Sequence, residues 1–153
     1  MIEEKDLFVE GERRLGRYTV VILRQSDNGR WMPSIMQLDA TVTNYRLLLR
    51  PHRKKYEPAS LPAAYMRGIE LTRKGNYHCV QIKLLTDHLL FLMLSTGKLD
   101  DLHDDLKAMK APPPKFSFDD KVAKHDIERL ITFFGTICFP GKKWAGWEWL
   151  IPR

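Results

Sequence analysis

The sequence predicts a mainly β, α+β domain: a small seven-stranded barrel capped by an amphipathic helix, followed by a C-terminal helical extension. Three observations predict it. Between residues 7 and 95, short runs rich in β-branched and aromatic residues recur at close spacing, separated by turn residues. Past residue 95 the apolar period changes from about two to three or four. Pro112-Pro113-Pro114 then cuts the chain. The expected organisation is a domain over 1–110, a Pro-rich linker over 111–116, and a helix with a Trp-rich tail over 117–153 packed on the barrel.

The elements follow in order. Residues 7–15 read as a short first strand. Residues 17–25 (Arg-Tyr-Thr-Val-Val-Ile-Leu-Arg-Gln) are strand by composition. Ser26-Asp27-Asn28-Gly29-Arg30 is turn chemistry, because Asn and Gly tolerate positive φ. Pro33 holds off the next strand, expected over 35–43. Asn44-Tyr45 is a tight connection into the buried strand 46–50. Three prolines and a basic run make 51–62 an exposed loop. Strands over 63–73 and 77–85 flank the hairpin signal Lys74-Gly75-Asn76. Val80, Ile82 and Leu84 share one face, since strand side chains alternate. Residues 88–95 form a nearly continuous apolar strand.

Ser95 and Thr96 are expected helix caps. Leu99, Leu102, Leu106 and Met109 then fall on one helix face. Asp100 and Asp101 suit the positive end of the helix dipole, and Lys107 and Lys110 the negative end. After the prolines, Ser117-Phe118-Asp119-Asp120 resembles a capping box. A second helix is expected to about residue 138, with Ala123, Ile127, Leu130, Ile131, Phe134, Ile137 and Cys138 as its apolar stripe. Pro140-Gly141 ends it.

This order of strands and helix is that of a pleckstrin-homology-like barrel, whose C-terminal helix covers an open end. A sandwich or open barrel without the helix is the structural competitor. The stretch Asp39-Ala40-Thr41-Val42-Thr43-Asn44-Tyr45-Arg46-Leu47-Leu48-Leu49 resembles the strand–Thr–Asn–x–Arg–Leu–hydrophobic signature of GRAM domains, a branch of that superfold. Leu61-Pro62 before Ile69-Glu70-Leu71, and Val9-Glu10-Gly11-Glu12 before the first long strand, are similar to further GRAM elements. The resemblance covers roughly residues 7–110. It implies binding to phosphoinositides, to other anionic lipids or to a protein partner. Fold alone does not choose between them.

Charge bears on that choice. The chain has 25 Lys and Arg against 19 Asp and Glu, a net charge of +6. The excess is spread: +3 over 1–58, +1 over 59–110 and +2 over 111–153. One cluster is local, Arg50-Pro51-His52-Arg53-Lys54-Lys55. With Arg13, Arg14 and Arg17 near another connection, and Arg30 in a third, it is the candidate lipid- or phosphate-binding set. Arg grips a phosphate bidentately and Lys acts as a point charge. The competing reading is a solvated basic loop. Trp144, Trp147 and Trp149, beside Lys142 and Lys143, are candidate interface residues; the competing reading has them fill a groove on the barrel. Phe133, Phe134 and Phe139 widen the apolar face of the second helix, which suits a homodimer contact.

Other chemistries find little footing. No Gly-x-Ser-x-Gly occurs, and the five serines sit at turns, loops or caps. His78 and Cys79 are strand neighbours that point to opposite faces, so they are no dyad. Asp100, Asp101, His103, Asp104 and Asp105 read as a solvated helix face before a metal site. His52, His88 and His125 are isolated. No catalytic residue, metal or cofactor is therefore expected, and no enzyme. Nucleic acid is not the expected partner, since no recognition motif accompanies the small charge excess. Cys79 and Cys138 lie in apolar runs without Cys-x-x-Cys spacing, as reduced thiols of a cytoplasmic protein do. Met1-Ile2-Glu3-Glu4 is not a signal peptide, and no apolar run approaches the roughly 18 residues of a membrane span. The expected location is the cytoplasm, with peripheral attachment to a membrane surface.

Overall fold

The computed structural model of the chain describes residues 8–26, 28–52, 59–85, 87–94 and 98–110, with the Met36 side chain outside that set. The expected linker, second helix and Trp-rich tail over 111–153 lie outside it too. Seven strands make one antiparallel sheet: β1 (Arg14–Gln25), β2 (Trp31–Thr43), β3 (Arg46–Pro51), β4 (Ala59–Pro62), β5 (Met66–Lys74), β6 (Tyr77–Leu84) and β7 (Leu89–Leu94). Their order is β4-β3-β2-β1-β7-β6-β5. A 3-10 turn, Ala63–Tyr65, joins β4 to β5, and one helix, α1 (Leu99–Lys107), follows β7.

Strand alternation builds the core. Val20 and Ile22 of β1, Leu38, Ala40 and Val42 of β2, and Leu47 and Leu49 of β3 turn to one face and are buried. The same cluster takes Ala59 and Leu61 from β4 and Val80, Ile82 and Leu84 from β6. Those strands are far apart in the ladder. They share a core because the sheet curls over on itself. Leu102 and Leu106 of α1 enter the same cluster, with Leu99 and Met109 packed against it, so the apolar stripe read from sequence is the helix's buried face. Asp100 and Asp101 fall in its first turn and Lys107 in its last.

The expected closed barrel is corrected. Among the described residues no ladder joins β4 to β5, so the sheet stays open between these edges. The strand count agrees with expectation, but the membership does not. No strand forms over residues 8–13: Gly11 has φ +83°, and Glu12 N–H bonds back to the Val9 carbonyl, which makes a turn. Conversely, β4 lies in the segment expected as a loop. Prolines are tolerated there because β4 is an edge strand, and its Ala59 and Leu61 are core residues. Pro33 does not delay β2; it sits inside the strand opposite Leu23, beside a register shift. The N-cap of α1 is Lys98, not Ser95 or Thr96, and no side chain caps it.

The other face of the sheet carries a smaller buried cluster. Leu23, Cys79, Leu89 and Phe91 pack there with Trp31, Tyr77 and Met93. Trp31 meets Phe91 edge-on at 5.0 Å between centroids, and the Lys74 ammonium lies 5.7 Å from each ring. Burial pushes the Cys79 thiol up to about 11 against the weaker pull of Lys74, so it is a packed, protonated side chain.

Candidate functional site

The core-facing residues of β2 are Leu38, Ala40 and Val42, so Asp39, Thr41 and Thr43 take the opposite face. In register across the ladder, Asp39 pairs with Thr19 of β1 and Arg50 of β3, and Thr41 with Arg17. A patch of basic residues therefore forms around one carboxylate. Arg17 Nη2 donates to Asp39 Oδ2 at 3.0 Å, and His52 Nε2 lies 3.0 Å from Asp39 Oδ1. Arg50 is the cross-strand neighbour of Asp39 and is half-buried. Burial pushes the Asp39 carboxyl up, but hydrogen bonds from His52 and Arg17, reinforced by their charge, outweigh it and leave it below its ordinary value. Arg17 and His52 remain 47% and 42% exposed at the side chain, so an incoming anion can reach both.

Of the expected phosphate-binding residues, the structure brings Arg17, Arg50 and His52 together. Arg13 and Arg14 stand apart. Arg14 pairs with Thr43, four residues along β2 from Asp39, a separation of about 14 Å. Both are exposed, at the end of the sheet where β2 turns into β3. Arg53, Lys54 and Lys55 follow His52 directly in the chain but lie outside the described residues, as do Trp144, Trp147 and Trp149. Arg30 is exposed in the β1–β2 turn.

The Thr43-Asn44-Tyr45-Arg46 stretch has a different task. Thr43 Oγ1 donates to Glu12 Oε2 at 2.6 Å and accepts the Tyr45 and Arg46 backbone N–H groups at 3.1 and 3.0 Å. Arg46 grips Glu12 bidentately, Nε to Oε2 at 2.9 Å and Nη2 to Oε1 at 3.0 Å, and its Nη1 donates to Ser60 of β4 at 3.1 Å. Asn44 Oδ1 accepts Arg13 N–H at 2.8 Å, and its Nδ2 donates to the Gly11 carbonyl at 3.1 Å. The Asn44 carbonyl accepts Lys110 N–H at 2.7 Å just past α1. The motif ties the N-terminal segment, the β2–β3 turn, the β4 edge and the end of the helix into one knot. Thr43, Arg46 and the Glu12 carboxylate are buried, and Asn44 spends its side chain on the N-terminal segment, so the motif serves the fold.

The acidic helix face is also accounted for. Asp105 accepts a hydrogen bond from the Tyr18 hydroxyl of β1. Burial, then this bond and the nearby carboxylates, push the Tyr18 phenol well above its usual value. His103 Nδ1 lies 3.2 Å from Asp104 Oδ1. Among the described residues no group of three or more His, Cys, Asp or Glu converges as a metal site, and no helix there is long and apolar enough to cross a membrane. An open cleft of about 210 Å³ lies between β5 and α1, lined by Met66, Arg67, Gly68, Ile69, Leu106, Lys107 and Met109; its lining is mixed, polar and apolar in nearly equal parts.

Sequence reading missed Asp39 as the centre of the basic patch. The signal was available: with period two, Asp39 must face the same side as Arg17 and Arg50. It also passed over Ile35, which stands 93% exposed beside the β2 irregularity.

No family model matches the chain, and no curated protein matches it. The solved structures similar to it include two at 13% identity. One is the C-terminal domain of an unknown protein from Leishmania infantum, with a TM-score of 0.49 over 64% of this chain and 84% of that one. The other is the hSac2 domain of the human phosphoinositide phosphatase Sac2, with a TM-score of 0.45 over 67% of this chain and 69% of that one.

Proposed function

We propose that this chain is a non-catalytic, pleckstrin-homology-like module of the GRAM type that docks on anionic membrane lipid, with a phosphoinositide-like head group as the preferred ligand. One observation carries the reading. Arg17, Arg50 and His52, from two neighbouring regions of the sheet, gather around Asp39 on one face, and Arg53-Lys54-Lys55 continue the chain from that point. Lipid phosphates match such a cluster: Arg supplies planar paired donors, and each Lys adds attraction of about 1 kcal/mol near an anionic surface. Asp39 acts as an internal stand-in for the anion, holding Arg17 and His52 until a phosphate competes.

Co-sedimentation with liposomes tests this. Neutral, phosphatidylserine-bearing and phosphoinositide-bearing vesicles are compared at low and physiological salt. The expected result is binding that needs anionic lipid, weakens with salt and falls in Arg53→Ala/Lys54→Ala/Lys55→Ala. Asp39→Asn removes one negative charge and releases Arg17, so it is expected to tighten binding by about fivefold, the equivalent of one surface charge. No binding to any vesicle overturns the lipid reading and transfers the search to a protein partner or self-association.

A further inference from the structure

Strand β2 carries an irregularity whose product is an exposed apolar side chain. Val21 of β1 pairs with Gln37, and Leu23 pairs with Pro33. One residue of β1, Ile22, is thus set against three of β2: Ser34, Ile35 and Met36. The strand has to bow outward to fit the extra two. Ile35, within that bow, is 93% exposed, and Met32 nearby is 40% exposed. A β-branched side chain left almost wholly in water gains nothing for folding.

Its surroundings are basic. Arg30 precedes β2 and is exposed, whereas Arg24, in phase with Ile22, takes the other face of the hairpin. His52 reaches the same end of the sheet, where its backbone N–H bonds the Gln37 carbonyl at 3.2 Å. Between Asn28 and Leu38 the sequence has no acidic residue. Asp39, next along, already holds Arg17 and His52. An apolar tip within a cationic surround matches the layering of an anionic bilayer, where acyl chains lie just beneath phosphates. A second copy of this chain would bring like charges together there.

We propose that the Ser34–Met36 bow is a membrane-inserting prong: Ile35 enters the acyl boundary of an anionic bilayer while Arg30 and His52 meet its phosphate layer. This rests on the lipid reading above and adds an apolar component, which salt does not screen.

The test compares the full chain with Ile35→Ser on vesicles of phosphatidylcholine with phosphatidylserine and of phosphatidylcholine alone, at low and high salt. Ile35 touches no core, so thermal melting of the variant is expected to match the parent. Binding to anionic vesicles is expected to weaken about tenfold at both salts, the share of an Ile burial that an interfacial position recovers. In parallel, Ile35→Cys in a Cys138→Ser background carries a polarity-sensitive dye. Cys79 is buried and escapes labelling. A blue shift of the dye on anionic vesicles is expected. If the parent binds, Ile35→Ser binds equally and the dye does not shift, the prong is overturned while the lipid reading stands. If the parent binds no vesicle, both fall. If Ile35→Ser turns a dimer into a monomer in sedimentation velocity and leaves vesicle binding unchanged, the tip belongs to a second copy and the prong is overturned.

Discussion

Glu12 and Arg46 form the ion pair on which the open end of this sheet depends. Their side chains are 0% and 10% exposed. The Glu12 carboxylate accepts four hydrogen bonds: two from Arg46, one from Thr43 Oγ1 and one from Val9 N–H. Glu12→Ala removes both acceptor oxygens, and all four bonds with them, and leaves a buried guanidinium without its counter-charge. Breaking a buried pair from one side costs about 3–5 kcal/mol. For a domain near 100 residues each kcal/mol is worth about 4–8 °C, so even the lower bound lowers Tm by about 12–24 °C. Arg46→Ala is expected to cost a similar amount, because it leaves the carboxylate stranded. Glu12→Ala/Arg46→Ala is expected to cost well under the sum, with a coupling of about 2 kcal/mol or more. Urea denaturation followed by far-UV circular dichroism measures all three, with m held in common. A Glu12→Ala loss below about 1 kcal/mol, the size of an exposed pair, would refute the reasoning, and strict additivity would show that the two residues do not act as a unit.

Three further outcomes are expected. His88 is fully buried, and burial, only partly offset by Asp87, pulls its imidazole down to about 4. The unfolded chain then binds the extra proton first, so stability falls as pH drops from about 6.5 towards 4, by about 2 kcal/mol at pH 5. Urea titrations across that range measure the slope, which His88→Gln should flatten; an unchanged slope assigns it elsewhere. Leu106→Ala opens a cavity under α1 and is expected to cost about 2–5 kcal/mol, whereas Lys107→Ala on the exposed side of the helix should stay within about 0.5 kcal/mol; equal losses by thermal melting would mean that α1 does not close the core. A Cβ on Gly16 would stand 2.8 Å from the Tyr18 hydroxyl and 2.9 Å from its ring, and would collide with Asp105 Oδ2, so Gly16→Ala is expected to break the Tyr18–Asp105 bond and cost about 1–3 kcal/mol. Tyr18→Phe should then add little to Gly16→Ala; full additivity in melting would disprove the shared contact.

Alternation and turn chemistry made most of this fold legible. Val80, Ile82 and Leu84 share the core face, Gly75 turns between β5 and β6 with φ +59°, and Leu102 and Leu106 are buried as their spacing requires. What was not legible depends on contacts between distant segments. Residues 8–13 look like a strand because Val9 and Glu12 sit among apolar and charged neighbours. Yet Glu12 is drawn inward by Arg46, 34 positions away, and no local pattern encodes that pull. Residues 59–62 look like loop because prolines bracket them, yet the Arg46–Pro62 and Leu48–Ser60 pairings make them a strand. The candidate site was half legible. Charge alone gathered Arg13, Arg14 and Arg17 into one group, but register separates them: Arg14 lies opposite Thr43, and Arg17 opposite Thr41 beside Asp39. The Thr-Asn-x-Arg stretch was visible as a pattern, whereas its hydrogen bonds to distant segments were not.

The same strand explains how an exposed prong and an intact core coexist. In a sheet, inserting one residue moves every later side chain to the wrong face. The β2 irregularity inserts two. Gln37, before the ladder shifts, and Pro33, after it, both stand opposite outward-facing positions of β1, Val21 and Leu23. Alternation therefore runs through unchanged. Leu38 stays in the main core on one side of the bow, and Trp31 stays on Phe91 in the smaller cluster on the other. An even insertion adds an outward loop at no cost in facing, and the side chain at its apex is free of packing demands. Ile35 occupies that apex, so its apolar character cannot be ascribed to the core on either side of it.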